Sequence, residues 1–326
     1  MLVDNFGRHI NYLRVSVTDK CNFRCPYCKP QKMSQLSNVK DPLTSQEIKR
    51  LVQCFVLLGV QKVRLTGGEP LLRSDIKEIV SGIGSLEKLS DLSLTTNGYS
   101  LSEHAIGLRQ SGLKRVNISL DTLLSAKFKQ ITGLDHFENV LEGIHASRQV
   151  GFDSIKINVV VMRNINWDEI LSFVKFADQY ELEVRFIELM PTQNCFMFAK
   201  DEWVPMHEVI HLIKKNIGLE KSQLNNYGVA EVYQIQGSAG KVGFISPLSK
   251  MFCQFCNRVR LKCDGHLKLC LHEEGMIDLR TPLRNGASDQ EIVDIIKSGI
   301  QKKPQEHHLS NFNCQTLLPV MSEIGG

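Results

Sequence analysis

The chain has 326 residues, of which 42% are hydrophobic and 23% are charged, and its formal net charge is +4. This composition supports a folded core and excludes a disordered chain, because disordered chains combine low hydrophobicity with high net charge. Lys and Arg are scattered, which argues against a nucleic-acid-binding stripe but allows a small anionic ligand. Residues 1–10 lack an apolar signal-peptide core, and the apolar run near Cys54–Val60 is too short to cross a bilayer. We therefore expect a cytoplasmic protein.

In the first part of the chain, short β-rich segments alternate with longer amphipathic segments. Six strands are predicted, at Tyr12–Val17, Lys62–Thr66, Leu92–Thr96, Arg115–Leu120, Ile155–Val161 and Glu183–Leu189. Five helices are predicted between them, at Ser45–Leu58, Ser74–Ile83, Ser102–Gln110, Phe137–Val150 and Trp167–Tyr180. Two pairs have the spacing of N-terminal capping boxes, Thr44 with Glu47 and Asn166 with Glu169. The strand–helix–strand order predicts parallel βαβ units with right-handed crossovers.

The pattern within the strands decides between an open doubly wound sheet and a curved, incomplete barrel. A parallel strand covered on both faces is a continuous apolar run, whereas three of these strands alternate polar with apolar residues. The polar side must face water or a ligand, because burial of an unpaired charge is costly. We therefore expect an α/β fold, an incomplete (βα)6 barrel with a polar, ligand-filled lumen. Its inward-facing residues would include Arg64, Thr66, Asn117, Ser119, Lys156 and Asn158.

After the sixth strand the regular alternation ends. Helices are predicted at Met206–Asn216 and Ser288–Ser298, the second opened by a Ser and Glu capping pair. The Gly-rich stretch between them indicates short strands and loops. We expect two domains, a barrel over 1–194 and a C-terminal α+β extension over 195–326 that closes the barrel.

Ten cysteines in a chain without an export signal indicate metal binding rather than disulfides. Six of them form two groups, whereas Cys54, Cys195 and Cys314 are isolated and are interpreted as small core residues or inert thiols. The first cysteine group follows the first strand, where parallel-barrel enzymes place their chemistry. It consists of Cys21, Cys25 and Cys28.

The first cysteine group provides three ligands, one fewer than a zinc site usually takes from paired cysteines. Three thiolates suit a [4Fe–4S] cluster in which the fourth iron stays open. A structural zinc site, or a redox dithiol of Cys25 and Cys28, is the alternative. The spacing CxxxCxxC resembles the cluster-binding motif of the radical S-adenosylmethionine (SAM) superfamily.

The stretch from Thr66 to Pro70, at the end of the second strand, contains two glycines that let the backbone approach a ligand closely. In isolation this stretch would more often be an ordinary turn. At this strand end it resembles the part of the superfamily that holds the amino group of SAM. The resemblance implies SAM contacts at Tyr27, Gly67, Gly68, Glu69, Ser119 and Met190.

The second cysteine group consists of Cys253, Cys256 and Cys270. A zinc site completed by Cys263 is a feasible alternative for it. The segment CNRVR, which begins at Cys256, resembles the GTP 3′,8-cyclase family, which opens molybdenum-cofactor biosynthesis. In that family this group holds a second [4Fe–4S] cluster whose open iron faces the substrate guanine, and Cys263 is then incidental. The resemblance extends along the chain through DKCNFRCPYC, RLTGGEP, LTTNG, NISLD and ELMP.

A nucleoside triphosphate needs several cations or a metal around its phosphates. Arg258 and Arg260 are two residues apart, so in extended backbone they would point the same way. Each alone would more often be a surface arginine. No Walker-type phosphate loop is present in the sequence, which argues against ordinary phosphate hydrolysis. The resemblance implies GTP contacts at Arg14, Arg64, Thr95, Lys156, Arg258 and Arg260.

The resemblance also implies the reaction. It is that of a lyase converting GTP to (8S)-3′,8-cyclo-7,8-dihydroguanosine 5′-triphosphate, with SAM and two [4Fe–4S] clusters as cofactors. Reductive cleavage of SAM yields a 5′-deoxyadenosyl radical that removes the 3′ hydrogen of GTP, and the ribose carbon then attacks C8 of guanine. Gly325 and Gly326 resemble the family's double-glycine terminus, which reaches into the active site. A catalytic role is therefore expected for these glycines and for Arg258 and Arg260, whereas Arg185 and His272 are assigned no role.

The expected partners follow from the same resemblance. An electron donor of the flavodoxin or ferredoxin type, or a chemical reductant, supplies the electron, and the product passes to a cyclic pyranopterin monophosphate synthase. Nucleic acid and membrane are not expected as partners, and the chain is expected to be a monomer or a homodimer. Two alternatives remain open: another radical SAM enzyme with auxiliary clusters, such as a peptide-modifying one, and a non-enzymatic zinc-binding or nucleic-acid-binding protein.

Overall fold

The computed structural model describes residues 1–28, 39–191, 196–222, 229–272, 275–307 and 321. Within these residues the strands form one twelve-stranded sheet. The strands are β1 (Tyr12–Ser16), β2 (Lys62–Thr66), β3 (Asp91–Thr96), β4 (Arg115–Ser119), β5 (Ser154–Val161), β6 (Glu183–Glu188), β7 (Leu219–Lys221), β8 (Glu231–Ile235), β9 (Lys241–Ile245), β10 (Arg258–Leu261), β11 (His266–Lys268) and β12 (Met276–Asp278). The α-helices are α1 (Ser45–Leu57), α2 (Ile76–Gly84), α3 (Leu101–Gln110), α4 (Ser125–Thr132), α5 (Phe137–Val150), α6 (Ile170–Tyr180), α7 (Phe196–Glu202), α8 (Met206–Asn216), α9 (Arg280–Arg284) and α10 (Asp289–Ile300).

The six predicted strands form the centre of the sheet as β1 to β6, parallel and in chain order. Each predicted boundary agrees with the observed one to within about one residue. The predicted helices are present as α1, α2, α3, α5, α6, α8 and α10. Helix α4 was not predicted, because its 8 residues are too few for a clear helical period.

The alternating strands have one apolar and one polar face, as predicted. In β2, Val63 and Leu65 are fully buried in the hydrophobic core, which the helices cover from outside. Arg64 and Thr66 line a cavity on the opposite face. The same alternation places Lys156 and other inward-facing side chains on the wall of a polar lumen. An incomplete barrel, rather than a flat doubly wound sheet, is therefore the correct interpretation.

The second half of the chain adds strands to both edges of this barrel. Strand β10 pairs in parallel with β1, and β9 pairs in parallel with β6. Beyond them, β11 and β12 continue one edge as antiparallel strands, and β8 and β7 continue the other. The predicted short strands therefore extend the same sheet and bring the second cysteine group to the lumen.

Two of the three predicted capping boxes are confirmed. Thr44 and Glu47 each bond the other's backbone N–H at the start of α1. Ser288 and Glu291 do the same at the start of α10. Each box satisfies two amide groups that have no partner within the helix.

The third predicted capping box is wrong. The Asn166 side chain accepts from the Met162 amide at 2.7 Å and donates to the Asp121 carbonyl at 2.7 Å. The Glu169 carboxylate accepts from the Thr122 hydroxyl at 2.8 Å. Both residues therefore join the segment after β5 to the segment after β4.

Among the described residues, no helix has the length and apolar character needed to cross a lipid bilayer.

Candidate active site

A cavity of about 630 Å³ occupies the lumen of the partial barrel. Its size falls within the range of pockets that bind small molecules and cofactors. Its described wall contains two acidic residues, Asp121 and Glu188. The cationic residues of the wall are far more numerous: Arg14, Lys62, Arg64, Arg115, Lys156, Arg185, Arg258 and Arg260. The lumen therefore suits a ligand with several negative charges.

The two cysteine groups lie at opposite ends of this cavity, and all six cysteines line it. The first group follows the carboxyl end of β1, whereas Cys256 precedes the amino end of β10. Because β10 is parallel to β1 with Tyr12 opposite Arg258, the second group lies at the amino end of the barrel strands. The length of β1 alone separates the two ends by about 13 Å, at roughly 3.3 Å per residue.

The strand topology also decides which cysteines can act together at the amino end. Strand β11 runs antiparallel to β10 with Lys268 opposite Arg260, so Cys270 returns to the end where Cys256 lies. Cys263 lies in the turn at the other end of β10. Its side chain is buried away from the cavity wall, and burial raises the pKa of this thiol to about 12. Cys263 is therefore not positioned to complete a zinc site.

The predicted SAM-binding stretch packs directly on the loop that leads to the first cysteine group. The amide of Gly68 donates to the Thr18 carbonyl at 2.7 Å, and the amide of Glu69 donates to the Lys20 carbonyl at 2.7 Å. A Cβ on Gly68 would lie 2.1 Å from the Lys20 carbonyl oxygen, and one on Gly67 would lie 2.4 Å from that of Thr18. The two glycines are therefore required for this backbone contact, in addition to any approach to a ligand.

The Glu69 carboxylate is buried behind the cavity wall. It accepts hydrogen bonds from the Thr96 hydroxyl at 2.7 Å and from the Asn97 amide at 2.6 Å. Burial raises its pKa to about 7. Gly67 and Gly68 line the cavity, whereas Glu69 does not. Its role as an acceptor for the amino group of SAM stays a prediction.

The remaining predicted SAM contacts lie together near the carboxyl ends of the strands. Tyr27, Ser119 and Met190 all line the cavity. The Tyr27 hydroxyl donates to Asp121, whose other carboxylate oxygen accepts from the Val160 amide at 2.8 Å. Burial raises the pKa of Asp121 to about 6. Sequence reasoning missed Asp121, although it continues the inward-facing alternation two residues after Ser119.

Three arginines form a row across the middle of the lumen. Strand β1 pairs with both β2 and β10, and Arg14 lies opposite Arg64 on one side and Arg260 on the other. Neighbouring strands are about 4.8 Å apart. Burial lowers the pKa of all three guanidinium groups, that of Arg260 to about 10, and neighbouring arginines lower each one further. An anionic ligand would relieve this concentration of like charge.

Arg260 of this row, with Arg258 and Thr95 beside it, has buried polar atoms that are available to a ligand. Within the described part of the chain, the Nε atoms of Arg258 and Arg260 and the hydroxyl of Thr95 are buried without a hydrogen bond. Buried polar groups are almost always hydrogen-bonded, so such exceptions mark places where a polar ligand fits. All three residues were predicted to contact GTP.

Other cations of the lumen have carboxylate partners. Lys156 and Arg185 both form ion pairs with Glu183. Burial lowers the pKa of Lys156 to about 8. Sequence reasoning assigned no role to Arg185, and it did not consider Lys62 or Arg115. The pairing of β5 with β6 shows that Arg185 faces the lumen, because it lies opposite the inward-facing Asn158.

The second cysteine group is surrounded by donors and positive charge. Burial raises the pKa of Cys253, although the neighbouring backbone of His307 acts in the opposite direction, and the backbone of Arg258 favours the thiolate of Cys256. Burial opposes ionisation of Cys256, but the positive charges of Lys303 and Arg258 outweigh it and lower the thiol pKa to about 7. The surroundings of Cys256 therefore stabilise its thiolate, the form in which cysteine binds iron.

Both cysteine groups fit [4Fe–4S] clusters. Each presents three thiols to one cavity, which leaves one iron of a cluster open. In the described residues, no three His, Cys, Asp or Glu side chains are close enough together to hold a single ion. Each thiolate of a cluster instead binds its own iron. Gly325 and Gly326 lie outside the described residues, as do Cys195 and Cys314, whereas Met321 lines the cavity.

Comparison with known proteins agrees with this geometry. The family model of the radical SAM superfamily matches residues 15–177, and the model named Molybdenum Cofactor Synthesis C matches residues 182–309. Streptococcus suis SuiB bound to S-adenosylmethionine has the same fold, with a TM-score of 0.62 at 14% identity over 90% of this chain and 68% of that chain. The fold and the site thus define an enzyme of the radical SAM class.

Curated relatives specify the family. The GTP 3′,8-cyclase of Syntrophomonas wolfei is 40% identical over 100% of both chains. That of Peptoclostridium acidaminophilum is 45% identical over 100% of this chain and 98% of its own. Molybdenum cofactor biosynthesis protein 1 of Mus musculus is 44% identical over 94% of this chain and 48% of its own. The chain belongs to the GTP 3′,8-cyclase family.

Proposed function

We propose that the chain converts GTP to (8S)-3′,8-cyclo-7,8-dihydroguanosine 5′-triphosphate as a radical SAM lyase. The observation that carries the proposal is the single cavity with one cysteine group at each end and a row of arginines between them. When bound, the reduced cluster of the first group supplies the electron that breaks a carbon–sulfur bond of SAM and so provides the radical for hydrogen removal at C3′ of GTP.

The residues of the chain bind and orient the substrate. Arg14, Arg64 and Arg260 provide adjacent positive charges for the triphosphate, and the hydroxyl of Thr95 provides a further polar contact. Each charge-assisted hydrogen bond contributes about 1.5–3 kcal/mol. Because Arg258 lies nearest the second cysteine group, we infer that it positions the nucleotide beside the open iron of the second cluster.

The lumen also protects the reaction. Its wall is formed by residues of the barrel strands, and a substrate bound between them would displace water from the carbon atoms that react. Tyr27 and Ser119 lie at the end near the first cysteine group, where they would hold the adenosyl part of SAM. SAM held there and GTP held by the arginines would occupy neighbouring parts of the cavity, which would orient the two reactants before electron transfer.

We further propose that Gly325 and Gly326 enter the cavity during the reaction. The position of Met321 on the cavity wall supports this, because Gly325 follows it by only four residues. Truncation after Ile324 tests the idea: SAM cleavage should persist, while formation of the cyclised nucleotide should fall. Unchanged cyclisation would exclude a catalytic role for the two glycines.

The partners proposed for this reaction are an electron donor of the flavodoxin or ferredoxin type and a cyclic pyranopterin monophosphate synthase that receives the product. A cytoplasmic setting and a monomer or homodimer complete the proposal. The membership of the chain in a family of molybdenum-cofactor biosynthesis supports the transfer of its product to a later enzyme of that biosynthesis.

Anaerobic reconstitution tests the proposed function. The chain is reconstituted with iron and sulfide, its metals are measured, and SAM cleavage is followed with and without GTP. About eight irons per chain are expected from two four-iron clusters, together with GTP-dependent formation of the cyclised product. Zinc in both sites, or SAM cleavage and products unaffected by GTP, would contradict the proposal and favour one of the two alternative classes.

A further inference from the structure

The segment after α10, residues 301–307, passes directly behind the second cysteine group. Lys303 is 2% exposed, although it carries a charge. Arg8 holds the same segment from the N-terminal side, donating to the carbonyls of Cys253 and Gln305, each at 2.8 Å. The N-terminal segment and residues 301–307 therefore meet at this group of cysteines.

The Lys303 ammonium joins the two segments that carry Cys256 and Cys270. Its Nζ donates to the carbonyl of Arg258 at 3.0 Å and to the carbonyl of Leu269. Arg258 follows Cys256 by two residues, and Leu269 immediately precedes Cys270. One side chain thus bridges the two segments that carry these cysteines, in addition to the pairing of β10 with β11.

A buried ammonium group needs an opposite charge nearby, because its removal from water is costly. The negative charges that act most strongly on Lys303 are the sulfurs of Cys256 and Cys270. Arg8 and Arg260 act on it with the opposite sign. A three-thiolate iron–sulfur cluster is therefore the anionic group that this lysine is placed to face.

We propose that Lys303 is a positioning residue of the second cluster, holding its two ligand-bearing segments together and offsetting the negative charge of the cluster. The inference rests on the proposed function, because it requires a cluster at the second cysteine group. Reduction adds a negative charge to a cluster, and a nearby cation stabilises the reduced form. Loss of the Lys303 charge should therefore move the midpoint potential of this cluster to more negative values.

The first cluster provides an internal reference. It lies at the other end of the cavity, separated by at least the length of β1, about 13 Å. At that distance the loss of one charge has a much weaker effect. The signal of the second cluster is identified as the one that disappears in Cys270→Ser.

The test uses four reconstituted holoenzymes: wild type, Lys303→Met, Lys303→Arg and Lys302→Met. Met keeps the length of the side chain without its charge, and Arg keeps the charge. Lys302 is the exposed neighbour and provides the matched control. Iron per chain is measured, and both clusters are titrated with a reductant and followed by electron paramagnetic resonance. We expect a negative shift for the second cluster in Lys303→Met alone, with most of the shift recovered in Lys303→Arg.

Equal midpoint potentials in wild type and Lys303→Met would overturn the inference. If Lys303→Met fails to retain the second cluster, unfolding of the apoproteins decides the question. If the Lys303→Met apoprotein is as stable as the wild-type apoprotein, loss of the second cluster supports a role of Lys303 that is specific to the cluster. If the Lys303→Met apoprotein is also less stable, Lys303 has a general structural role and the inference is overturned. A wild-type chain without the second cluster would instead overturn the proposed function, so the two failures are distinct.

Discussion

Gly68 shows how a single missing side chain positions a catalytic loop. The residue lies against the Lys20 carbonyl, one residue before the first cysteine of the group. The motif alone suggested a glycine needed for contact with a ligand. The structure adds a second reason, since backbone packing against residues 18–20 leaves no space for a Cβ.

Gly68→Ala should therefore impair the first cluster. The new Cβ would lie 2.1 Å from the Lys20 oxygen, so the loop must move by roughly 1 Å, a displacement that can cost about 100-fold in rate. Iron content and release of 5′-deoxyadenosine measure the effect. Gly275→Ala is the matched control, because nothing lies within 4 Å of a Cβ at that position. Equal SAM cleavage by the two variants would contradict the argument.

Lys156 should make GTP binding depend on pH. Burial lowers its pKa to about 8, so the ammonium form predominates below pH 8 and is lost above it. Because at most one proton is linked to this group, the Kd for GTP should rise by up to about tenfold per pH unit above 8. Titration calorimetry without SAM measures the Kd for GTP at each pH. Lys156→Arg should remove the pH dependence, whereas Lys175→Arg, on the exposed side of α6, should retain it. The same dependence of Kd on pH in the wild type and both variants would exclude Lys156 as the titrating group.

At the scale of single residues, sequence patterns found the inward-facing cations but not their supports. Arg64 and Lys156 were recognisable because they interrupt apolar strands at alternate positions. Lys303 was not, since it stands in a polar run that resembles any exposed turn, and only the folded chain places it behind Cys256. Asp121 was missed as well, and its hydrogen-bond partner Tyr27 is distant in sequence.

At the scale of elements, long periodic segments were predictable and short ones were not. Strands β1 to β6 repeat with helices between them, and this repetition identifies each one. Strand β10 has 4 residues and derives its stability from pairing with β1, a partner more than 200 residues away in sequence. The capping boxes show the same contrast: the local pair at α10 formed, whereas Asn166 bonded to tertiary partners instead.

The capping box of α10 should stabilise this helix, which packs against α1. Ser288→Ala removes the side-chain acceptor for the Glu291 amide and should lower the free energy of unfolding by about 1 kcal/mol. Urea denaturation of the apoprotein measures this, with an unchanged dependence on urea concentration. Ser298→Ala, exposed within the same helix, should not destabilise the protein. If Ser298→Ala lowered the free energy of unfolding as much as Ser288→Ala does, the effect of Ser288→Ala could not be assigned to the cap.

At the scale of the whole molecule, the continuous sheet explains why two distant cysteine groups share one cavity. Extension of the barrel at β1 by β10 turns the second group toward the lumen, and the arginine row lies between the two groups. The net charge of the chain does not reveal this local concentration of positive charge in the lumen, because a formal charge of +4 is small for 326 residues. The eight cations of the lumen wall are balanced by acidic residues elsewhere on the molecule.

The separation of the two groups predicts that their functions can be divided. Cys270→Ser removes one ligand of the second group and should reduce iron from about eight to about four per chain. SAM cleavage should persist, because the first group and its loop are unchanged, but cyclised product should be lost. Cys263→Ser is the matched control, since its thiol is buried away from the cavity. Iron analysis and product chromatography test both variants. Loss of iron in Cys263→Ser would show that Cys263 is a ligand of the second cluster. Normal product from Cys270→Ser would show that the second cluster is dispensable.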